Sequence, residues 1–502
     1  MSAVTRPGAT VDGARRPARA TPRAAEPGHH RAETLLRPLL PILTPWLATR
    51  RWYQGTTMSA LRPAGVTVIG GEGRPDLLVA VVETGSGTAY QLLLGVRGEL
   101  PRRLEPAAIG TVPYGPWAGQ RLYDAVADPA LMGALLRALA GRRAGPLRLD
   151  PAGRHPLPVG LVPRPLAVDQ SNSAVVYGDR LLLKLYRRPE PGPHPEVEAL
   201  RALTGQNCPR TPRLHGSLHL DGLTLGLVEE YLPGAEDGWQ RAVAHARDHL
   251  AGSADPDTGP DTGPAGGFTP DAQALGQAVA ETHGALARAF PRVRLSAEDV
   301  AADAARMKRR LTAAVAEVPQ LARHRSRLAA LFDEYGRLGA RGCPVLAQRV
   351  HGDLHLGQAL YADGDWHLVD FEGEPATPAA ERALPQPVLR DVAGMLRSFD
   401  YAARAALLSP APENGPAEAD TGPGRQLSRL RRAGAWALRN RRAFCAGYAA
   451  GGGEDPACRA AQLTAFEADR AVYEAVYEAR HRPHWLPVPL AAVHRLAGGR
   501  AR

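Results

Sequence analysis

The 502-residue chain is poor in aromatic residues, at 5%, and has only four cysteines. Cys208, Cys343, Cys445 and Cys458 form no C-x-x-C pair and stand at no metal-ligand spacing with histidine. This excludes a zinc ribbon and a disulfide framework and predicts reduced thiols in a cytoplasmic protein. No run of 18 apolar residues exists, so no membrane span is expected; Leu35 to Leu47 is interrupted by Pro38, Pro41 and Pro45. The Arg/Ala/Pro-rich residues 1–32 lack the apolar centre of a secretory signal and read as a disordered tail. The net charge is +10, carried almost wholly by arginine. The basic residues are scattered, with no aromatic-basic stripe, so no nucleic-acid partner is expected. A basic cleft for phosphate groups and a basic tail account for the excess.

What is present is 44% hydrophobic content, 53 glycines and 46 prolines. That suffices for two or three domains with much chain in loops. Strand-like runs occur at Gly65 to Ile69, Asp76 to Glu83 and Tyr90 to Val96, followed by a helix at Pro129 to Ala140. The run from Tyr90 alternates poorly yet is rich in apolar residues compatible with strands. Ala174 to Tyr177 and Arg180 to Tyr186 flank Gly178-Asp179, which predicts a hairpin. A helix is expected from Glu196 to Leu203 and a strand from Leu223 to Tyr231. Residues 270–340 and 425–480 carry helical periodicity. Strands followed by helices predict an α+β, two-lobed body. The low-complexity stretches near 255–267 and 409–424 read as flexible insertions.

The chemistry lies in three segments. His351-Gly-Asp353-Leu-His-Leu-Gly-Gln358 matches the spacing of the protein-kinase catalytic loop, with Gln in place of Asn. Asp353 is expected as the base, and the Gln358 amide oxygen as a ligand for Mg²⁺. Seventeen residues after Asp353, the apolar run from Trp366 ends in Asp370-Phe371-Glu372, which places a metal-binding Asp370 beside the loop. Upstream, Lys184 sits in the apolar run Leu181 to Tyr186, where a buried ammonium needs a partner. It is expected to bind the phosphates of ATP, paired with Glu198 or, second, Glu196. No glycine-rich G-x-G-x-x-G precedes it; Gln170, Ser171, Asn172 and Ser173 occupy that place and could cover phosphates. The three segments in this order predict a phosphotransferase using ATP and Mg²⁺.

Longer strings narrow the match: Arg51-Trp-Tyr-Gln-Gly55, Asp169-Gln-Ser-Asn-Ser173, Lys184-Leu-Tyr-Arg-Arg188, Asp370-Phe-Glu-Gly-Glu-Pro375, and the block from Tyr473 to Pro489. Over nearly the whole chain from about Leu43 the sequence resembles the actinobacterial maltokinases, relatives of the aminoglycoside phosphotransferases. The resemblance implies a bilobal protein-kinase-like fold with an N-terminal β-rich cap domain. The expected organisation is a tail (1–32), the cap (33–150), a kinase N-lobe (151–235) and a helical C-lobe (236–500). It also implies phosphorylation of maltose to maltose 1-phosphate, feeding α-glucan synthesis in association with a trehalose synthase and a maltosyltransferase. Departures are Gln54-Gly55-Thr56 for the family's Ala-Gly-Lys, Asp169 for Glu, Arg470 for Lys, and Gln462 in place of an apolar residue.

A sugar site needs aromatic faces and polar groups for hydroxyls. Asp469, Arg470, Tyr473, Tyr477 and Trp485 are the candidates, with Trp239 further off, and Glu374 could orient a neighbour. His351 is expected to brace the loop. Tyr473 and Tyr477 could equally be core aromatics of an amphipathic helix. The alternative acceptor is glucosamine or another amino sugar or aminoglycoside, for which Glu467 and Asp469 are available carboxylates. Glucosamine kinases of this branch tend to read Asp-Phe-Asp-Gly-Asn-Pro, so Asp370-Phe-Glu-Gly-Glu-Pro375 favours maltose. A non-catalytic pseudokinase conflicts with the joint presence of Lys184, Asp353, Gln358 and Asp370.

Overall fold

Apolar runs in the first third of the chain become strands covered on both faces. The computed structural model describes residues 27–53, 60–70, 75–153, 156–166, 172–251, 267–374, 377–408 and 423–498. Helices α1 (Pro27–Leu36) and α2 (Leu40–Leu47) precede a five-stranded antiparallel sheet of β1 (Leu61–Ile69), β2 (Asp76–Thr84), β3 (Ala89–Arg97), β4 (Ala108–Thr111) and β5 (Arg121–Asp124), in the order β1-β2-β3-β5-β4. Leu78, Ala80, Val82, Leu92 and Leu94 pack with Leu36, Leu43 and Leu47 of the two helices. Leu77, Val79, Val81 and Leu93 enter a second core shared with α3 (Pro129–Ala140). Burial on both faces is why these strands do not alternate apolar with polar. At roughly 1.5–3 kcal/mol for each fully buried aliphatic side chain, this layering firmly fastens the cap sheet to the neighbouring lobe.

That lobe is built on a seven-stranded sheet. Its strands are β6 (Arg143–Ala144), β7 (Leu147–Pro151), β8 (Pro163–Leu166), β9 (Ser173–Tyr177), β10 (Leu181–Leu185), β11 (Leu214–Leu220) and β12 (Leu223–Glu230), in the order β6-β7-β11-β12-β10-β9-β8. The β9–β10 hairpin turns through 178–180, with Gly178 (φ 53°) and Asp179 (φ 49°) in the left-handed region and the Arg180 N–H closing the turn on the Tyr177 carbonyl at 3.1 Å. Helix α4 (Pro195–Gly205) lies between β10 and β11 in the chain. Asp128 caps α3 by accepting from the Ala130 N–H, while its other oxygen takes Arg97 at 2.7 Å and the Tyr123 hydroxyl at 2.7 Å.

The remainder is mostly helical: α5 (Gly238–Ala251), α6 (Thr269–Ala289), α7 (Ala297–Glu317), α8 (Arg325–Gly336), α9 (Ala379–Arg382), α10 (Leu389–Leu408), α11 (Pro423–Ala450), α12 (Ala460–His481) and α13 (Pro487–Leu496). Short strands β13 (Glu236–Asp237), β14 (Val293–Arg294), β15 (Leu346–Ala347), β16 (Ala359–Ala362) and β17 (Asp365–Leu368) interrupt it. The β16–β17 hairpin, with Asp363 and Gly364 at positive φ, sets Gln358 and the segment after Leu368 side by side. Two lobes of mixed helix and strand, preceded by a β-rich cap, make an α+β fold of the kinase type. Among the described residues no helix is long and apolar enough to cross a membrane, and all four cysteines are free thiols.

Two boundaries differ from those expected of the sequence. Residues 27–32, assigned to the tail, belong to α1, because Ala32 and Leu36 are fully buried beneath the cap sheet. Residues 143–151, assigned to the cap, form β6 and β7, which hydrogen-bond into the seven-stranded sheet. The insertions near 255–267 and 409–424 fall outside the described residues except at their ends, where Gly267 lies in a turn and Pro423 opens α11.

Helices α6 and α11 cross with backbones in contact. A Cβ built on Gly447 would run into the Gln273 carbonyl, and one on Gly276 into that of Phe444. Gly447→Ala should therefore destabilise the fold by about 1–3 kcal/mol, the usual cost of overpacking. Denaturant unfolding monitored by circular dichroism checks this; an unchanged midpoint would show that the helices can separate freely.

Candidate active site

The loop after Val350 is held by main-chain bonds before any reactive side chain is placed. Asp391, at the start of α10 and 2% exposed, accepts the N–H of His351 at 2.8 Å and of Gly352 at 2.9 Å. His351 bonds through Nε2 to the Val369 carbonyl at 2.9 Å and lies against the Phe371 ring, 4.6 Å between centroids. It therefore braces the loop and does not face the cleft. Gly352 adopts φ 90°, and a side chain there would press on Gly373. Asp353 then emerges beside Arg470, whose Nη2 donates to its Oδ1 at 2.9 Å.

Lys184, one of two lysines in the chain, is the centre of a second cluster. Its Nζ donates to both Glu196 oxygens at 2.9 Å and to Asp370 Oδ1 at 2.6 Å, and lies 2.7 Å from Glu372 Oε1. Burial by itself would lower the lysine pKa, but Asp370, Glu196 and Glu372 outweigh it and hold the ammonium well above its ordinary value. Asp370 feels an opposing burial effect, which Lys184 overcomes, so its carboxyl lies well below the ordinary range. Glu196, fully enclosed, is pushed up to about 7 by burial despite its bond to Lys184. Asp370 has φ 67°, a conformation costing a non-glycine residue about 1–3 kcal/mol and typical of functional positions.

The expected first partner of Lys184, Glu198, is corrected to Glu196. Two residues along a helix turn the side chain about 200° around its axis. Glu196 is thus buried toward β10, while Glu198 is 38% exposed and lies 3.6 Å from Arg349. Glu372 is a site residue that the motifs alone did not single out. Its signal was a carboxylate directly after Asp-Phe, where protein kinases have glycine. Asn172 Nδ2 donates to Glu372 at 2.6 Å, while the Ser173 hydroxyl accepts from Arg187 Nε at 2.8 Å. Ser171 lies outside the described residues.

Ligand atoms of Glu196, Asp370 and Glu372 all lie within 4.8 Å of one another. Gln358 Nε2 donates to Asp370 Oδ2 at 2.9 Å, which brings the amide to the same place. Three carboxylates share one ammonium, leaving a surplus of negative charge among hard oxygen donors. That donor set suits a divalent cation such as Mg²⁺.

Beside Asp353 opens a cavity of about 420 Å³. Arg470, Tyr473, Tyr477 and Trp485 line it, as does Trp239. Trp485 stacks on Tyr401 at 5.8 Å and Tyr473 on Tyr477 at 6.5 Å. Tyr477 is 42% exposed, so it is no core residue. The wall also contains Glu374, Glu474, Glu478 and Arg482. Two expected residues are absent from this wall. Asp469 is turned away and buried on Arg310 at 2.8 Å and Arg390 at 3.6 Å, facing a small neighbouring recess. Glu467 is buried on Arg441 at 2.7 Å. Each helical residue advances about 100°, so 470, 474, 477 and 478 share a face of α12 from which 469 is turned away, while 467 lies on the same side about one turn before Arg470, short of the cavity. Tyr401 and Glu478 were not singled out as site candidates because Tyr401 comes from α10 and meets α12 only in three dimensions, its hydroxyl donating to Glu478 Oε1 at 3.1 Å.

Comparison with known proteins agrees with this architecture. Residues 46–128 match the maltokinase N-terminal cap domain family. The chain is 35% identical over 340 residues to a glucosamine kinase of Streptacidiphilus jiangxiensis, spanning 65% of this chain and 71% of that one. It is 34% identical over 352 residues to a glucosamine kinase of Mycolicibacterium smegmatis, spanning 66% and 79%. A solved glucosamine kinase in complex with glucosamine, ADP and inorganic phosphate superposes with a TM-score of 0.63 at 26% identity, covering 91% of this chain and 98% of that one. A second crystal form of glucosamine kinase gives 0.67 at 26% identity, covering 94% and 100%.

The two glutamates of α4 separate cleanly by experiment. Glu196→Gln should raise the KM for ATP by about tenfold or more, the loss of one charge-assisted contact, while Glu198→Gln should stay near wild type. Steady-state kinetics at saturating acceptor measure both; equal effects would remove the distinction.

Proposed function

The chain belongs to the family of the glucosamine kinases of Streptacidiphilus jiangxiensis and Mycolicibacterium smegmatis, and from that premise we propose that it transfers the γ-phosphoryl group of ATP to a hydroxyl of an amino sugar, glucosamine being the best-supported acceptor. The observation carrying this reading is the charge of the acceptor cavity. Asp353, Glu374, Glu474 and Glu478 face Arg470 and Arg482 across it. Glu474 is engaged by Arg397 at 2.8 Å, Glu478 by Arg482 at 2.6 Å and Asp353 by Arg470 at 2.9 Å. Among the described residues no cation is hydrogen-bonded to Glu374, which leaves one carboxylate for an incoming ammonium group. A neutral disaccharide has no need of it. This reverses the order of acceptors drawn from the Asp370–Pro375 string. Maltose remains the second reading, favoured by the cap-domain match over 46–128 and by the Tyr401–Trp485 stack, which offers a face to a second sugar ring.

In this reading the acceptor hydroxyl lies against Asp353, which takes its proton as the oxygen attacks the γ-phosphorus in line. Arg470 fixes the Asp353 carboxylate on one side, leaving the other oxygen for the proton. Lys184, tethered by Glu196, meets the nucleotide phosphates, and Asn172 and Ser173 lie over them. Asp370, Gln358 and Glu372 would hold Mg²⁺, which when bound neutralises charge on the phosphates. No covalent enzyme intermediate is required.

Phosphorus NMR of products from glucosamine, maltose and glucose decides the acceptor and shows which carbon carries phosphate. Glucosamine should give the highest kcat/KM; a higher value for maltose makes the second reading correct. Glu374→Gln should lower kcat/KM for glucosamine by about tenfold or more, as expected for loss of one charge-assisted contact, with a smaller effect on glucose. Asp353→Asn should lower kcat by about 10²–10⁴-fold, the range for a lost general base, with ADP affinity by calorimetry unchanged. Turnover near wild type would refute the base assignment.

A further inference from the structure

On the far side of the catalytic loop from the acceptor cavity lies a second cavity of about 390 Å³, bounded by α6, α11, the start of α12 and β15. Three of its wall residues are polar groups that the phosphotransfer chemistry does not use. Arg292 donates through Nε to Gln348 Oε1 at 3.2 Å. Arg459 donates through Nε to Glu454 Oε1 at 2.8 Å. Gln462, only 5% exposed, lines the cavity and its amide makes no hydrogen bond within the described residues. Its amide faces the cavity, where a ligand hydroxyl can meet it.

The back of the cavity is joined to the catalytic loop. His283 and Tyr448 both line it, and His283 Nδ1 meets the Tyr448 hydroxyl at 3.0 Å. Its Nε2 meets Asp391 Oδ2 at 3.0 Å. That same carboxylate holds the N–H groups of His351 and Gly352, one residue short of Asp353. Gln348, three residues before His351, donates to the His283 carbonyl at 2.8 Å.

We propose that this cavity binds a small phosphorylated polyol, with the phosphate taken by Arg292 and Arg459 and a hydroxyl by the Gln462 amide, and that its occupancy is felt at the catalytic loop through His283 and Asp391. Two guanidinium groups against the single carboxylate of Glu454 make the wall net positive, which selects an anion. The unpartnered amide selects a ligand that has hydroxyls as well as phosphate. A phosphorylated sugar has both, and it is the chemical class a sugar kinase releases.

The test uses the full chain with its nucleotide cleft filled by ADP and Mg²⁺, so that phosphate binding there is blocked. Glucose 6-phosphate and orthophosphate are titrated by calorimetry. Arg459→Ala should weaken both at least tenfold, and Gln462→Leu should weaken glucose 6-phosphate alone. In steady-state assays at saturating ATP and acceptor, glucose 6-phosphate should change kcat at least twofold in the wild type and in neither variant. Both variants should keep the ligand-free kcat within twofold, which verifies that they fold. No binding, binding indifferent to both substitutions, or an unchanged kcat at saturation each overturns the proposal.

Discussion

Lys184 is buried among three carboxylates that arrive from two lobes. Glu196 comes from α4 beside the seven-stranded sheet, and Asp370 and Glu372 from the segment after β17 in the helical lobe. A buried ammonium without partners would be prohibitively costly, and so would any of these carboxylates alone. Their mutual satisfaction ties the two lobes together at this point. The cluster remains one ammonium against three carboxylates, so it is built to receive additional positive charge. Asp370 stands at a left-handed backbone angle to reach Lys184, and Gln358 bonds its other oxygen. Strain is tolerated there because contacts on both sides overdetermine the position.

The cap rests on a different constraint. Its central strands face helices α1 and α2 on one side and, on the other, a core shared with α3 and the strands of the N-lobe. A sheet buried on both faces cannot act as a loosely tethered module. Arg187 adds a polar fastening: its carbonyl accepts from the Gln91 N–H at 3.0 Å, and its guanidinium reaches Asp124 at 3.2 Å. Cap and N-lobe are thus one packed unit, and the cap's border with the N-lobe falls ahead of residue 143.

Helix α12 shows how one element serves two purposes. Its stretch from Arg470 on presents Arg470, Tyr473, Glu474 and Glu478 to the cavity beside Asp353, while Asp469, turned about 100° from Arg470, and Glu467, about one turn earlier, are buried on arginines of neighbouring helices. The carboxylates that looked most available for an amine are committed to structure. Those that line the cavity come from α12 itself, from the loop at Asp353 and from the chain just after Phe371. Charge pairing with Arg310 of α7, Arg390 of α10 and Arg441 of α11 decided this, a contact between helices that α12 alone does not reveal.

The motifs were legible because phosphoryl transfer constrains short stretches of chain. Asp353 and Gln358 belong to a single loop, Asp370 ends the adjacent hairpin, and Lys184 stands out as a charge in an apolar strand. Strand positions and the Gly178-Asp179 turn were legible for the same local reason, since backbone geometry is set by immediate neighbours. What needed the tertiary structure was the choice between side chains close together in sequence, Glu196 over Glu198 and Arg470 over Asp469, as well as the placing of Glu374 rather than the distant Glu467 at the cavity. Helical rotation separates such neighbours by a hundred degrees or more, and the partner that fixes each one lies tens to hundreds of residues away. The sequence by itself carried the α+β order of elements and the spacing of Lys184, Asp353, Gln358 and Asp370, because both are local. Only the packed fold decided which carboxylates were spent on arginines and which were left to meet a substrate.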